Sequence, residues 1–399
     1  MTRIIVFLIT CTVASHVCAT DPLPPLAEKF LHDGRLADGE TASLLALDSN
    51  PADDEARFGL GMIQLVRAVE NLGKALHEYG AISENTRQPF LRIPVPKNDN
   101  PSAISYQALG RILDAFATDL ARAESTLAGI KDERVLLRLR LAKIKFEFAG
   151  ASKDATTLID LLTKLNGRQF EFEKDNPEFR IHFDRGDVAW LRAYCHLLSA
   201  IVEGYRAVDE EVGFEERVKE IFPKVEAPAE RAEPAWIRGM NLVDSPRLRR
   251  MRLHLVAVCE LNRETWHHIR KETDDDYEWL PHGQQTDQLG LPLTDQRIDG
   301  WLGMMEELEG LLKGERLVPS HLLMFVHRGH KEGQGLNLKK LMDDPPKDML
   351  NEKRIREEGI DAKYLEDEGE KPVFNISAVT AVLQLFNGPF GFARAARLN

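Results

Sequence analysis

Cysteine, aromatic residues and recognisable catalytic signatures are all scarce in this 399-residue chain. Only four cysteines occur, and Cys11 and Cys18 fall within the first 19 residues. A disulfide-stapled scaffold is therefore excluded, and no Cys-x-x-Cys or Cys/His spacing offers a structural zinc site. The other two, Cys195 and Cys259, each sit on the apolar stripe of an expected helix. There they read as small buried hydrophobes, with a single bridge between them left open. The chain also lacks a Gly-x-Ser-x-Gly elbow, a His-Glu-x-x-His pair and a Gly-x-Gly-x-x-Gly turn after a strand. A Gly-rich stretch from Gly329 to Gly335, near Ser320, His321, His327, Arg328 and His330, is without the Gly-Lys-Ser/Thr ending of a phosphate loop. Positive charge is in deficit: Lys and Arg number 52 against 64 Asp and Glu, a formal net charge of −12. Such a surface repels phosphate backbones, so nucleic acid and anionic membranes are poor partners. With 43% hydrophobic and 29% charged residues the composition is that of an ordinary globular protein, long enough to bury a core without staples.

No apolar run is long enough to span a bilayer. The longest, Ile4 to Val13, follows Arg3 and precedes Val17-Cys18-Ala19, small residues of the kind a signal peptidase reads. The expectation is a signal peptide over residues 1–19, cleavage near Ala19, and a periplasmic or extracellular chain with no integral membrane span. A lipobox reading of Leu8-Ile9-Thr10-Cys11 is weakened by Thr10 before the cysteine.

What is abundant is helical periodicity. Phe58, Met62, Leu65, Val69, Leu72 and Leu76 recur at alternating spacings of four and three, a stripe along one face of a helix capped by Asp53 or Asp54 and ending near Gly80. Leu109, Leu113, Phe116, Leu120 and Leu127 repeat the pattern behind Ser102 or Ser105. Further helices are expected over Ala155 to Leu165, from Asp187 to Tyr205, from Pro246 to Trp266 or Ile269, from Thr294 to Gly314, and over Ile376 to Phe386. Leu137 to Phe148 fits either a strand alternation or a helix face, and composition and neighbours select helix. The prolines of Phe90-Leu91-Arg92-Ile93-Pro94-Val95-Pro96 predict an extended segment lying on the surface. The fold class that follows is all-α: helical hairpins in a bundle or a short solenoid-like array, with few or no strands. Its expected organisation is an N-terminal helical region 20–222, a Pro-containing linker 223–246, and a C-terminal helical region 247–399. A long irregular segment, 327–372, surrounds a short helix at Glu352–Glu358.

Asn50-Pro51 before Ala56-Arg57-Phe58-Gly59-Leu60-Gly61 resembles, over residues 50–80, the junction between tetratricopeptide units, but no 34-residue echo follows it. Antiparallel hairpins account for the same residues.

The densest polar cluster runs from Trp266 to His282. It holds His267, His268, Asp274, Asp275, Asp276, Glu278 and His282 between Trp266 and Trp279. Adjacent His267 and His268 point about 100° apart on a helix, so they do not easily share one ion. The calcium-loop pattern, with Gly at its sixth position, is missing. A solvated acidic turn explains the segment, and its flanking tryptophans mark it as a possible partner surface. A second cluster, His182 and Asp184 before Arg185-Gly186-Asp187, reads as a helix-capping loop despite its match by letters to an adhesion tripeptide. Asn375-Ile376-Ser377 is a glycosylation sequon of meaning only in a eukaryotic secretory host.

The blocks FLRIPVP, HFDRGDVAWLRAYCHLL, ETDDDYEWLPHGQQ and LPLTDQRIDGWLGMMEELEGLLKGERLVP together resemble segments of uncharacterised exported bacterial proteins. That resemblance implies an envelope setting and supplies no activity and no site residues. Two readings result. One is an exported binding or scaffold protein, recognising a protein or envelope component through a helical groove and the 266–282 loop, with no cofactor. The other is a metal-dependent hydrolase or other enzyme in which His267 or His268, Asp274–Asp276, Glu278 and His282 join His182 or Asp184.

Overall fold

The computed structural model describes residues 24–83, 92–149, 155–166, 178, 180–208, 211, 214–226, 242–275, 277–286, 294–327 and 329–385. The expected leader and most of the Pro-containing stretch lie outside the described residues, as do Phe90, Leu91, Asp276 and Arg328.

Capping side chains start the long helices where the sequence places them. Asp53 accepts from the Ala56 amide at 2.8 Å to open α3 (Asp54–Glu78), and Ser105 accepts from Ala108 at 3.1 Å to open α4 (Tyr106–Ala128). Each satisfies an amide that the first helical turn leaves without a partner. Before them lie α1 (Leu26–Asp33) and α2 (Leu36–Ser49). After α4 come α5 (Leu158–Asn166), α6 (Arg185–Ala207), the short α7 (Phe214–Val218) and α8 (Ser245–Ile269). Thr294 caps α9 (Asp295–Lys313), which Gly314 ends in the left-handed conformation at φ 70°. Four shorter helices follow: α10 (Ser320–Val326), α11 (Leu338–Asp343), α12 (Glu352–Glu358) and α13 (Ile376–Leu385).

The long helices α3, α4, α6, α8 and α9 form a row in which chain order is spatial order. Antiparallel contacts link α3 to α4 (Asn71 to Asp119, Gln64 to Thr126) and α4 to α6 (Glu124 to Arg192, Asp114 to Arg206). The row continues from α6 to α8 (Glu203 to Arg247) and from α8 to α9 (Asn262 to Trp301, Arg270 to Asp299). The apolar stripes bury Phe58, Met62, Leu72 and Leu76 against Leu109, Leu113 and Leu120. One continuous core carries on through Val188, Cys195 and Val202 to Cys259, Trp266, Ile298 and Trp301. Glycine permits the close approach of α3: a Cβ at Gly73 would collide with the ring of Phe148. Arg252, 5% exposed on α8, is held by Asp343 at 2.7 Å and by the Leu312 carbonyl at 3.1 Å, which pins α11 to the row. Cys195 and Cys259 are buried and free.

Two expectations are corrected. Leu137 to Phe148 is not a helix: it forms β1 (Leu137–Leu139), one turn of 3-10 helix and β2 (Lys145–Phe146). The strand alternation wins because partners exist. β2 pairs with β3 (Thr156–Thr157), and β1 pairs antiparallel with β4 (Ile181–Phe183), Leu137 opposite Phe183. Tertiary pairing overrides the helical preference of Leu, Lys and Arg. The Pro-rich segment is extended but does not lie on the surface, for Ile93 is 5% exposed and belongs to the core. Within 327–372 a two-stranded ribbon, β5 (Gln334–Leu336) with β6 (Leu365–Asp367), accompanies α11 and α12.

Candidate functional site

The polar residues singled out by sequence gather at one end of the helix row, where α6 begins and α8 stops. Strand β4 delivers His182 and Asp184 to the head of α6. Asp184 is the N-cap: its Oδ1 accepts from the amides of Gly186 at 2.7 Å and Asp187 at 3.2 Å, and Asp187 Oδ2 returns the bond from the Asp184 amide at 3.0 Å. This capping box fixes the start of α6 and accounts for Arg185-Gly186-Asp187, whose Gly186 and Asp187 are buried.

The chain leaving α8 then folds back over that cap. The His182 amide donates to the Tyr277 carbonyl at 3.1 Å, and Tyr277 holds φ at 65°, a left-handed conformation uncommon outside glycine. Glu278 sits opposite His182 in a single parallel bridge. Beneath, Trp279 packs between Phe183 and Trp190 at ring separations of 5.8 and 5.5 Å. Gln285 ties the loop to itself, its amide group donating to Glu272 at 3.1 Å and to the Asp274 carbonyl at 2.9 Å, while its oxygen accepts from the His282 amide. Asp275 closes the far side on Thr286, whose amide donates at 2.7 Å. The bond from the Thr286 hydroxyl first, and then this amide bond, hold the Asp275 carboxyl below its ordinary range.

The fold-back brings three carboxyls together. Oxygens of Asp184, Glu272 and Glu278 all lie within 4.8 Å of one another. Burial first, and then the adjoining Asp184 carboxyl, push the Glu272 carboxyl far above its ordinary range. One buried oxygen of Glu272 has no donor facing it. Two carboxylate oxygens cannot hydrogen-bond unless one carries a proton, so the pair is satisfied once Glu272 is protonated and donates to Asp184. Chemically, the cluster can hold a proton or an all-oxygen hard cation.

The other residues lie apart from this cluster. His268 pairs with Glu133 at 3.4 Å, and its ring stands 77° from that of His267 at 5.5 Å, so the two do not converge on one ion. Burial, and next to it Arg185, lower the His268 pKa. Asp274 and Asp275 are exposed, and Trp266 and Trp279 are buried. His282 is half-buried and accepts at Nδ1 from the Gln284 amide.

His267 instead faces a different feature, an open groove of about 1050 Å³ between the end of α8 and the start of α9. Its α8 side carries Arg263 and His267, four apart on one helix face, with Arg270 and Lys271 in the turn just past Ile269. Asp299, Gly303 and Glu306 line the α9 side, with Trp266 and Leu302 among the lining residues. A Cβ at Gly303 would meet nothing within 4 Å, so the glycine leaves open space. Trp266, with no exposed surface, has an indole N–H that lacks a hydrogen-bond partner. Sequence reasoning named Trp266 and His267, ran its polar cluster through Lys271 and Glu272 without selecting either as a site residue, and missed the α9 wall. An isolated glycine inside the amphipathic stretch at 303 was the available cue.

Among known proteins, the chain matches no protein-family model, no curated protein and no solved structure. Among the described residues, no helix is long and apolar enough to cross a membrane.

Proposed function

We propose that the chain is an exported helical binding protein of the cell envelope that takes a partner segment in the groove between α8 and α9. The carrying observation is that groove: Leu302 supplies apolar surface, Gly303 leaves room for a side chain, and the two ends differ in charge. Arg270 is committed to Asp299 at 2.6 Å and Arg263 to Glu309, whereas exposed Lys271 has no ion pair among the described residues. From Arg263 to the end of α8 at Ile269 the helical wall rises about 9 Å, and Lys271 lies in the turn beyond. It suits a short protein segment with a large apolar residue at its centre and an acidic residue toward Lys271. Glu306 favours a basic residue at the other end. Export rests on the leader-like sequence before Ala19.

The carboxyl cluster is read as a lock on the 270–286 loop, because Asp184 already caps α6 and Gln285 already serves Glu272. Stoichiometric metal in the purified protein, lost in Asp184→Asn, would instead favour the metal-dependent hydrolase. The binding reading is tested by selecting a phage-displayed library of random twelve-residue peptides on the immobilised protein. Enriched peptides should pair an aromatic or large aliphatic residue with Asp or Glu, and should bind Gly303→Leu and Lys271→Glu at least tenfold more weakly. Equal binding to both variants would refute the reading.

A further inference from the structure

The middle of the row holds a second polar cluster that the groove does not use. His196 on α6 and His254 on α8 face each other with Nδ1 to Nδ1 at 2.8 Å and ring centroids 5.1 Å apart. Both are half-buried, within the most extensive helix–helix contact among the described residues. Two ring nitrogens at that distance repel unless a proton lies between them, one imidazole donating and the other accepting. Two imidazoles also fall short of the three protein ligands that zinc sites keep, so a proton and not a metal is what this geometry holds.

We propose that His196 and His254 form a single-proton clamp between α6 and α8 that opens when acid protonates both rings. A second proton replaces a donor–acceptor pair by two cations in contact.

The surrounding charges determine whether that second cation would be neutralised. Glu124 on α4 lies 3.7 Å from His196 Nε2 but is already bound by Arg192 of α6 at 2.9 Å. Glu203 of α6 is bound by Arg247 and Arg250 of α8, at 3.2 and 3.1 Å. Both carboxylates are shared with arginines; Glu203 and Glu124 still favour a cation at His254, but burial, the His196 ring and Arg250 outweigh them. Burial first, and next the His196 ring, lower the His254 pKa. The sign follows. The unfolded chain takes up this proton at higher pH than the folded one, so the clamp's contribution is full above the ordinary histidine value of 6.5 and is lost as pH falls below it.

The test uses the full chain in EDTA at pH 7.5 and pH 5.5. Urea unfolding of the wild type should show the folding equilibrium constant falling over that interval at least twofold more than in His254→Gln, the direction that a lowered His254 pKa requires. Equal falls would overturn the proposal. Amide hydrogen exchange on the wild type alone guards against a variant that does not fold. Acid should speed exchange selectively in α6 and α8 around residues 196 and 254, relative to α3, after correction for intrinsic rates. Uniform change along the row would overturn the proposal equally.

Discussion

Glu272, three residues beyond the end of α8, holds its carboxyl against that of Asp184, the cap of α6. The end of one helix is thereby tied to the start of another eighty-odd positions earlier. The contact stands only with a proton between the two groups, and this makes the lock sensitive to base.

The linkage has a definite sign. The folded chain keeps the Glu272 proton to far higher pH than the unfolded chain, whose ordinary value is 4.5. The lock's contribution is thus full below pH 4.5 and is lost as pH rises above it. Glu272→Gln retains a donor toward Asp184 without titrating. Urea midpoints measured between pH 4.5 and 9 should fall more steeply with pH in the wild type than in this variant. Parallel slopes would rule out the shared proton.

Gly73 sets the spacing between α3 and the β2 end of the chain. Its replacement by Ala drives a methyl into Phe148, a residue 1% exposed. Gly73→Ala should cost about 1–3 kcal/mol of stability, as overpacking in dense cores does. Adding Phe148→Leu should recover part of that loss. A single variant as stable as the wild type would show that this approach is not close.

The two thiols of the chain from Thr20 onward should be inert while it is folded. Burial, and after it Glu124, push the Cys195 thiol up to about 12, while burial and Glu309 do the same for Cys259. Thiolate is the reactive form. A thiol reagent at pH 8 should modify neither residue in the native protein and both in urea. Rapid native labelling would contradict their placement in the core.

How much of this was legible in the sequence depends on the range of the interactions involved. Asp53, Ser105 and Thr294 announce helix starts because a cap is a bond to an amide two or three residues away. The Phe58 to Leu76 stripe is readable for the same reason, since its period belongs to the helix itself. Leu137 to Phe148 misleads because the partner of its first strand, Ile181 to Phe183, lies some forty residues off, and the pairing of its second with Thr156–Thr157 is only two residues long. The candidate site divides in the same way. Asp184 was visible as a cap, and the 266–282 segment as a dense polar run. Glu272 gains its character only when the loop folds back, and His196 meets His254 only through the packing of α6 on α8. Trp266 and Trp279 looked like surface aromatics beside charged neighbours, yet helix phase and the Phe183–Trp190 packing take them inside.

The groove between α8 and α9 remains the centre of the account, and hydrogen exchange of the protein with a selected peptide bound tests it most directly. Protection confined to residues 263–271 and 299–306 is the predicted result. Protection elsewhere in the chain, with those two stretches exchanging as they do in the free protein, would contradict it.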